Sequence, residues 1–200
     1  MDHVDLLVHS AGANPAVRYL SRHPERVDRR ALITPGVRAV GLTITDRLRR
    51  ETVLPRRDEP WFPAAFAALE AIGAGAATIE KFRAIAPFFY SRWDEVAQAH
   101  KAAEGEQVNR DVVAAFGADG AFGPEADRTA LARFAAPVLL LAGEVDVGAP
   151  APTTAEFTAF FPGAHLVVQP EAGHCPWLDD ADRFMATTVE FLHGAATHVP

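Results

Sequence analysis

The chain has 200 residues, 49% of them hydrophobic and 22% charged, which is enough for one domain with its own core. Its formal net charge of −7 argues against nucleic acid as a partner, because phosphate binding needs a basic face. The single cysteine, Cys175, excludes an intrachain disulfide and favours a cytoplasmic protein, and no apolar run approaches the ~20 residues of a membrane span.

Met1-Asp2-His3 leads into the apolar run Val4–Val8 without a signal-peptide pattern, and that run reads as a strand. Gly12–Arg22 reads as the following helix, with Pro15 tolerated in its first turn, where amide hydrogens lack intrahelical acceptors. His23-Pro24 ends it, and Ala31–Gly36 reads as a second strand closed by Pro35-Gly36. From Val37 to Phe134, alanine, phenylalanine and charged residues recur at helical spacing between Pro and Gly breakers, as in a stack of short helices. Within this block the Arg-rich stretch Asp46–Arg57 reads as a solvated face, since acidic residues interrupt its charge. Pro137–Ala142 is a third strand, apolar throughout like one covered on both faces. Pro152–Phe161 suits a helix, His165–Gln169 a fourth strand, and Asp180–His193 a closing amphipathic helix.

Strands alternating with helices imply an α/β fold with about four mostly parallel strands. Residues 37–134 exceed a simple crossover and read as an inserted helical cap, with 1–36 and 135–200 forming the sheet domain. Ser10, Asp146 and His174 each follow the carboxyl end of a predicted strand, the edge at which open α/β sheets collect ligand-binding groups. Serine is a weak nucleophile until histidine removes its proton, and a carboxylate orients the imidazole and stabilises its cation. Each residue also has a plainer reading, Ser10 as a turn or cap residue and Asp146 and His174 as loop polar groups. Glu144 stands beside Asp146 as an alternative acid. Cys175 adjoins His174, but neighbouring side chains point apart. The histidines His3, His9, His23, His100, His165, His193 and His198 lack metal-binding spacing, and no cofactor motif is present.

The order Ser, Asp, His, together with His-Ser-Ala-Gly at 9–12, Gly-Glu-Val-Asp at 143–146 and Ala-Gly-His-Cys-Pro-Trp-Leu-Asp-Asp at 172–180, resembles the α/β-hydrolase family across the chain. The stretch Phe88–Asp94 is similar to the capped branch of that family containing proline iminopeptidase-like enzymes. The resemblance implies a cofactor-free serine hydrolase acting on a small ester or amide, including aminoacyl or prolyl amides. Ser10, His174 and Asp146 would form its triad, and the amide of Ala11 an oxyanion donor. It also implies that cap aromatics such as Trp93 line a substrate pocket and that Asp94, Glu95 or Glu104 bind a substrate amine; helix packing and surface charge are the plainer readings.

The sequence departs from the family pattern in two places. Val8 stands where the elbow's first glycine is expected, and a β-branched residue there should crowd the turn, at a cost of ~1–3 kcal/mol. Only nine residues precede Ser10, so the resemblance covers the carboxy-terminal half of the family sheet, without the loop carrying the second oxyanion donor. Loss of one such donor costs roughly 10²–10³-fold in rate. The missing neighbour leaves Val4–Val8 as an apolar edge, a template for self-association. An inactive remnant acting as an association module is therefore the alternative to an enzyme.

Overall fold

A computed structural model describes residues 3–194 apart from 110, 113–115 and 117–119. Residues 1–2 and 195–200, His198 among them, lie outside the described set. Four strands, β1 (Val4–His9), β2 (Val27–Ile33), β3 (Val138–Gly143) and β4 (Ala164–Gln169), form one parallel sheet in the order β1-β2-β3-β4. The second strand starts earlier than its apolar residues suggest. Val27–Arg30 join the ladder despite three charged side chains, because Arg29 and Arg30 pair in register with Asp5 and Leu6.

Side chains alternate across the sheet with the strand period of two. Leu32, Val138 and Leu140 pack on α1 (Ala13–Arg22), α6 (Pro124–Leu131) and α7 (Ala151–Thr158) through Val17, Leu20, Leu131 and Phe157. Ala31, Ile33, Leu139 and Leu141 face the opposite layer, where α8 (Pro176–Asp179) and α9 (Ala181–Leu192) supply Trp177, Phe184 and Phe191. All of β3 is buried, as its unbroken apolarity implies.

Helices α2 (Asp46–Val53), α3 (Phe62–Gly73), α4 (Ile79–Ala84) and α5 (Glu95–Gln107) follow β2. Val53, Phe62, Ala65, Leu69, Ile85 and Phe88 make a separate core, joined to the sheet domain through Val147. Val37, Ala39, Val40, Leu131 and Phe134, near the two ends of residues 37–134, pack instead in the sheet's own cluster. No described helix is long and apolar enough to cross a membrane.

Candidate active site

The chain turns sharply after β1. Ser10 adopts φ 52°, in the left-handed region that a non-glycine residue rarely enters, and opens a 3-10 turn, Ser10–Gly12, leading into α1. The neighbouring backbone holds this turn. Gly36 N donates to Ser10 O at 2.8 Å; Asn14 Nδ2 donates to Ala11 O at 3.1 Å, and Asn14 Oδ1 accepts from Ala39 N at 2.7 Å. Gly36 must be glycine for so close an approach, since a β-carbon there would stand 2.6 Å from Asn14 Nδ2. The expected crowding by Val8 is absent on the elbow's glycine side: even a β-carbon on Gly12 would lie 3.8 Å from Val8 Cβ, an ordinary contact.

The ends of β1, β3 and β4 bring the three candidate side chains into one line. His174 Nε2 lies 2.7 Å from Ser10 Oγ, and His174 Nδ1 lies 2.8 Å from Asp146 Oδ2. Gly148 N donates to the other Asp146 oxygen at 2.7 Å, so a fully buried carboxylate has a partner on each oxygen. Glu144, the alternative acid, is exposed and accepts from Glu171 N at 2.8 Å instead. Burial by itself pulls the His174 pKa down, but the charge and hydrogen bond of Asp146 outweigh it, and the net shift is upward.

The backbone of His174 is fixed as firmly as its ring. Its amide donates to Phe89 O at 2.7 Å; its carbonyl accepts from Thr34 Oγ1 at 2.9 Å and lies 2.8 Å from His9 Nε2. That last distance makes His9 Nε2 the donor, with Nδ1 free of the proton. Burial and the neighbouring imidazole of His174 push the His9 pKa down to about 4, which keeps the ring neutral. The loop lies close against β3 and the segment 89–91: β-carbons at Gly143 would collide with the Ala172 and Gly173 carbonyls, and at Gly173 with Phe89 O.

Arg56 is a structural residue that the sequence reading placed on a solvated face. Its guanidinium donates to the carbonyls of Tyr90 at 2.8 Å, Phe88 at 3.0 Å and Val145 at 3.1 Å, tying the segment 86–90 to the turn that carries Asp146. Burial lowers its pKa to about 10, still far above neutrality. Arg47, nine residues earlier, is indeed exposed, so nothing in the local charge pattern separates the two. His9 and Thr34 were missed as well; the only signal for His9 is its position next to Ser10.

A cavity of about 500 Å³ opens over Ser10 and His174, lined also by His100, Lys101, Glu104 and Gln107 of α5. Trp93, Asp94 and Glu95 do not line it. Asp94 Oδ1 caps α5 by accepting from Ala97 N at 3.0 Å; Glu95 is exposed in the first turn, and Trp93 faces a separate depression. Glu104 does reach the cavity, paired with Lys101. Cys175 lines it too, but burial foremost, with nearby carboxylates, pushes its thiol up to about 12 and keeps it protonated. Among the described residues no group of three or more His, Cys, Asp or Glu is placed to hold a metal.

A parallel sheet with Ser, Asp and His beyond the ends of three of its four strands defines a class, and the comparisons agree. The family model described as the alpha/beta hydrolase family matches residues 1–187, and the chain belongs to that family. A serine hydrolase from the polyaromatic-hydrocarbon-degrading bacterium Cycloclasticus zankles is similar at 17% identity and TM-score 0.64, over 98% of this chain and 66% of its own. A proline iminopeptidase from Mycobacterium smegmatis is 24% identical, TM-score 0.63, over 96% and 66%. A meta-cleavage product hydrolase from Pseudomonas fluorescens is 18% identical, TM-score 0.63, over 97% and 66%. The chain thus spans about two thirds of their length, and likeness at these identities shows the fold alone. No curated protein matches the sequence.

Proposed function

We propose that the chain carries the triad of a serine hydrolase that cleaves a small ester or amide through an acyl-enzyme. The continuous line from Asp146 Oδ2 through His174 to Ser10 Oγ carries this reading. Ser10 Oγ attacks the substrate carbonyl as His174 Nε2 takes its proton, while Asp146 holds the Nδ1 hydrogen and stabilises the imidazolium. The Ala11 amide, at the start of the turn into α1, donates to the oxyanion. His174 then returns the proton to the leaving oxygen or nitrogen as the carbonyl bond to it breaks. Water, deprotonated by the same imidazole, attacks the acyl carbon, and the proton passes to Ser10 Oγ as its bond to the acyl group breaks, releasing the acid.

The test is hydrolysis of p-nitrophenyl butyrate beside prolyl-p-nitroanilide. We expect turnover of at least one, lost in Ser10→Ala and in His174→Ala; turnover unaffected by both substitutions would refute the triad. The prolyl amide distinguishes the iminopeptidase-like substrate from a simple ester, since Glu104 is the one acid of the three named for amine binding that faces the cavity.

One observation favours a second reading, an inactive association module. Val4 is 48% and Leu7 46% exposed on β1, an edge strand of the sheet. Light scattering at micromolar concentration tests this: oligomers dispersed by Leu7→Lys support it, and a monomer refutes it.

A further inference from the structure

We propose that Thr34 is a positioning residue for His174, and that the turn Thr34-Pro35-Gly36 sets the reach between the serine and the imidazole; this rests on the serine-hydrolase reading of Ser10. Among the described residues, three that are not glycine have a positive φ: Ser10 at 52°, Thr34 at 40° and Glu171 at 53°. They follow the carboxyl ends of β1, β2 and β4, the edge where the candidate triad assembles. Strained backbone persists only where its surroundings over-determine it, and it collects at functional sites.

Thr34 is the most strained of the three by residue type. It is β-branched, for which a positive φ is a genuine outlier, and it precedes Pro35, whose ring favours extended backbone before it. Its surroundings hold it in place. The Thr34 amide donates to Leu141 O of β3 at 2.7 Å, and the side chain is fully buried, with its hydroxyl donating to His174 O at 2.9 Å. Two residues on, Gly36 N donates to Ser10 O at 2.8 Å.

Strand β2 lies between β1 and β3 in the sheet, so one three-residue turn holds the main chain of Ser10 and of His174 together. Pro35, between the two links, has its φ fixed by its ring. The strain at Thr34 thus serves the 2.7 Å contact between Ser10 Oγ and His174 Nε2. His9 Nε2 lies 2.8 Å from the same His174 carbonyl, so loss of the Thr34 hydroxyl leaves the loop hinged on one bond rather than free.

Thr34→Val keeps the size and branching of the side chain and removes only the hydroxyl; Thr34→Ser keeps the hydroxyl. The first readout is titration of the His174 imidazole by NMR in the whole chain. Against burial, the charge and hydrogen bond of Asp146 hold the His174 pKa above 6.5, with Glu104 and Lys101 as the further charges acting on it. We expect the midpoint to stay there in Thr34→Ser and to fall in Thr34→Val, as the ring moves off Asp146. Thr34→Ala should show the same fall, and serves where Thr34→Val does not unfold cooperatively. The second readout is the rate at which a fluorophosphonate labels Ser10, which should drop about 10²-fold in Thr34→Val, as for a displacement of the order of 1 Å, and recover in Thr34→Ser. A midpoint unmoved in the variants without the hydroxyl, or a Thr34→Ser protein as altered as Thr34→Val, would overturn the proposal. Labelling separates the two readings: equal rates in all these proteins refute the role of Thr34 alone, and a shifted titration with no labelling in any of them refutes the nucleophile alone.

Discussion

The two ends of the sheet treat buried charge in opposite ways. At the carboxyl end, Asp146 is fully buried and both oxygens are engaged, by Gly148 N and by His174 Nδ1. At the amino end, Arg30 of β2 is also fully buried, yet among the described residues only Nη2 finds an acceptor, Val27 O at 3.2 Å, while Nε and Nη1 find none. Its guanidinium lies over the Phe134 ring, and burial lowers its pKa to about 9. Burying a charge is costly wherever it occurs. At the end proposed to be catalytic, hydrogen bonds to both carboxylate oxygens offset the cost; at the other end most of it stays uncompensated.

The largest effect belongs to the satisfied end. Asp146→Asn should lower kcat by about 10⁴-fold with little loss of fold, because the amide no longer orients and stabilises the protonated imidazole. The pH profile sharpens the point. His174 must be neutral to accept the serine proton, and its pKa is raised above 6.5, so the acidic limb of kcat/KM should fall above pH 6.5 and move downward in Asp146→Asn. On stability the same shift acts the other way: the pairing with Asp146 contributes fully below pH 6.5 and is lost as pH rises through the folded pKa. An acidic limb unmoved by the substitution would break the link between the two residues.

How much of this was legible in the sequence depends on what marks a residue locally. Ser10, Asp146 and His174 each sit within a few residues of an apolar run, so their shared edge could be read before any coordinates. Asp94 could not be separated from a substrate ligand, because an aspartate just before a helix serves equally as its cap, and here it accepts from Ala97 N. Arg56 was hidden in a run that includes the exposed Arg47 and Arg57, since its partners are the carbonyls at 88, 90 and 145, distant in sequence. Val27–Arg30 were hidden because ladder pairing with β1 overrides the polarity of Asp28, Arg29 and Arg30.

Arg56 offers the next test. Arg56→Met keeps much of the side-chain volume but frees the carbonyls through which segment 86–90 is joined to the turn carrying Asp146, and a displacement of the order of 1 Å there should cost about 10²-fold in kcat/KM. Steady-state kinetics with intact far-UV dichroism would check it. Arg30→Leu should act in the opposite sense at the other end of the sheet, raising stability by about 1–3 kcal/mol in urea titrations without altering kinetics. A destabilised Arg30→Leu protein would show that the buried guanidinium is compensated after all.

A further test, on pH-dependent stability alone, is at His9. It is neutral in the fold down to about pH 4, whereas an unfolded histidine takes up its proton near 6.5. The unfolded chain therefore binds more protons between those values, and stability should fall as pH drops from about 6.5 toward 4. His9→Gln, which retains a donor for the His174 carbonyl, should flatten that part of the stability curve.

The decisive measurement is intact mass after brief exposure to a fluorophosphonate. We expect one adduct per chain, located to Ser10, absent in Ser10→Ala and strongly slowed in His174→Ala. Folded protein that takes up no adduct, or takes it up equally in Ser10→Ala, would show that the aligned serine, histidine and aspartate do not form a working nucleophile.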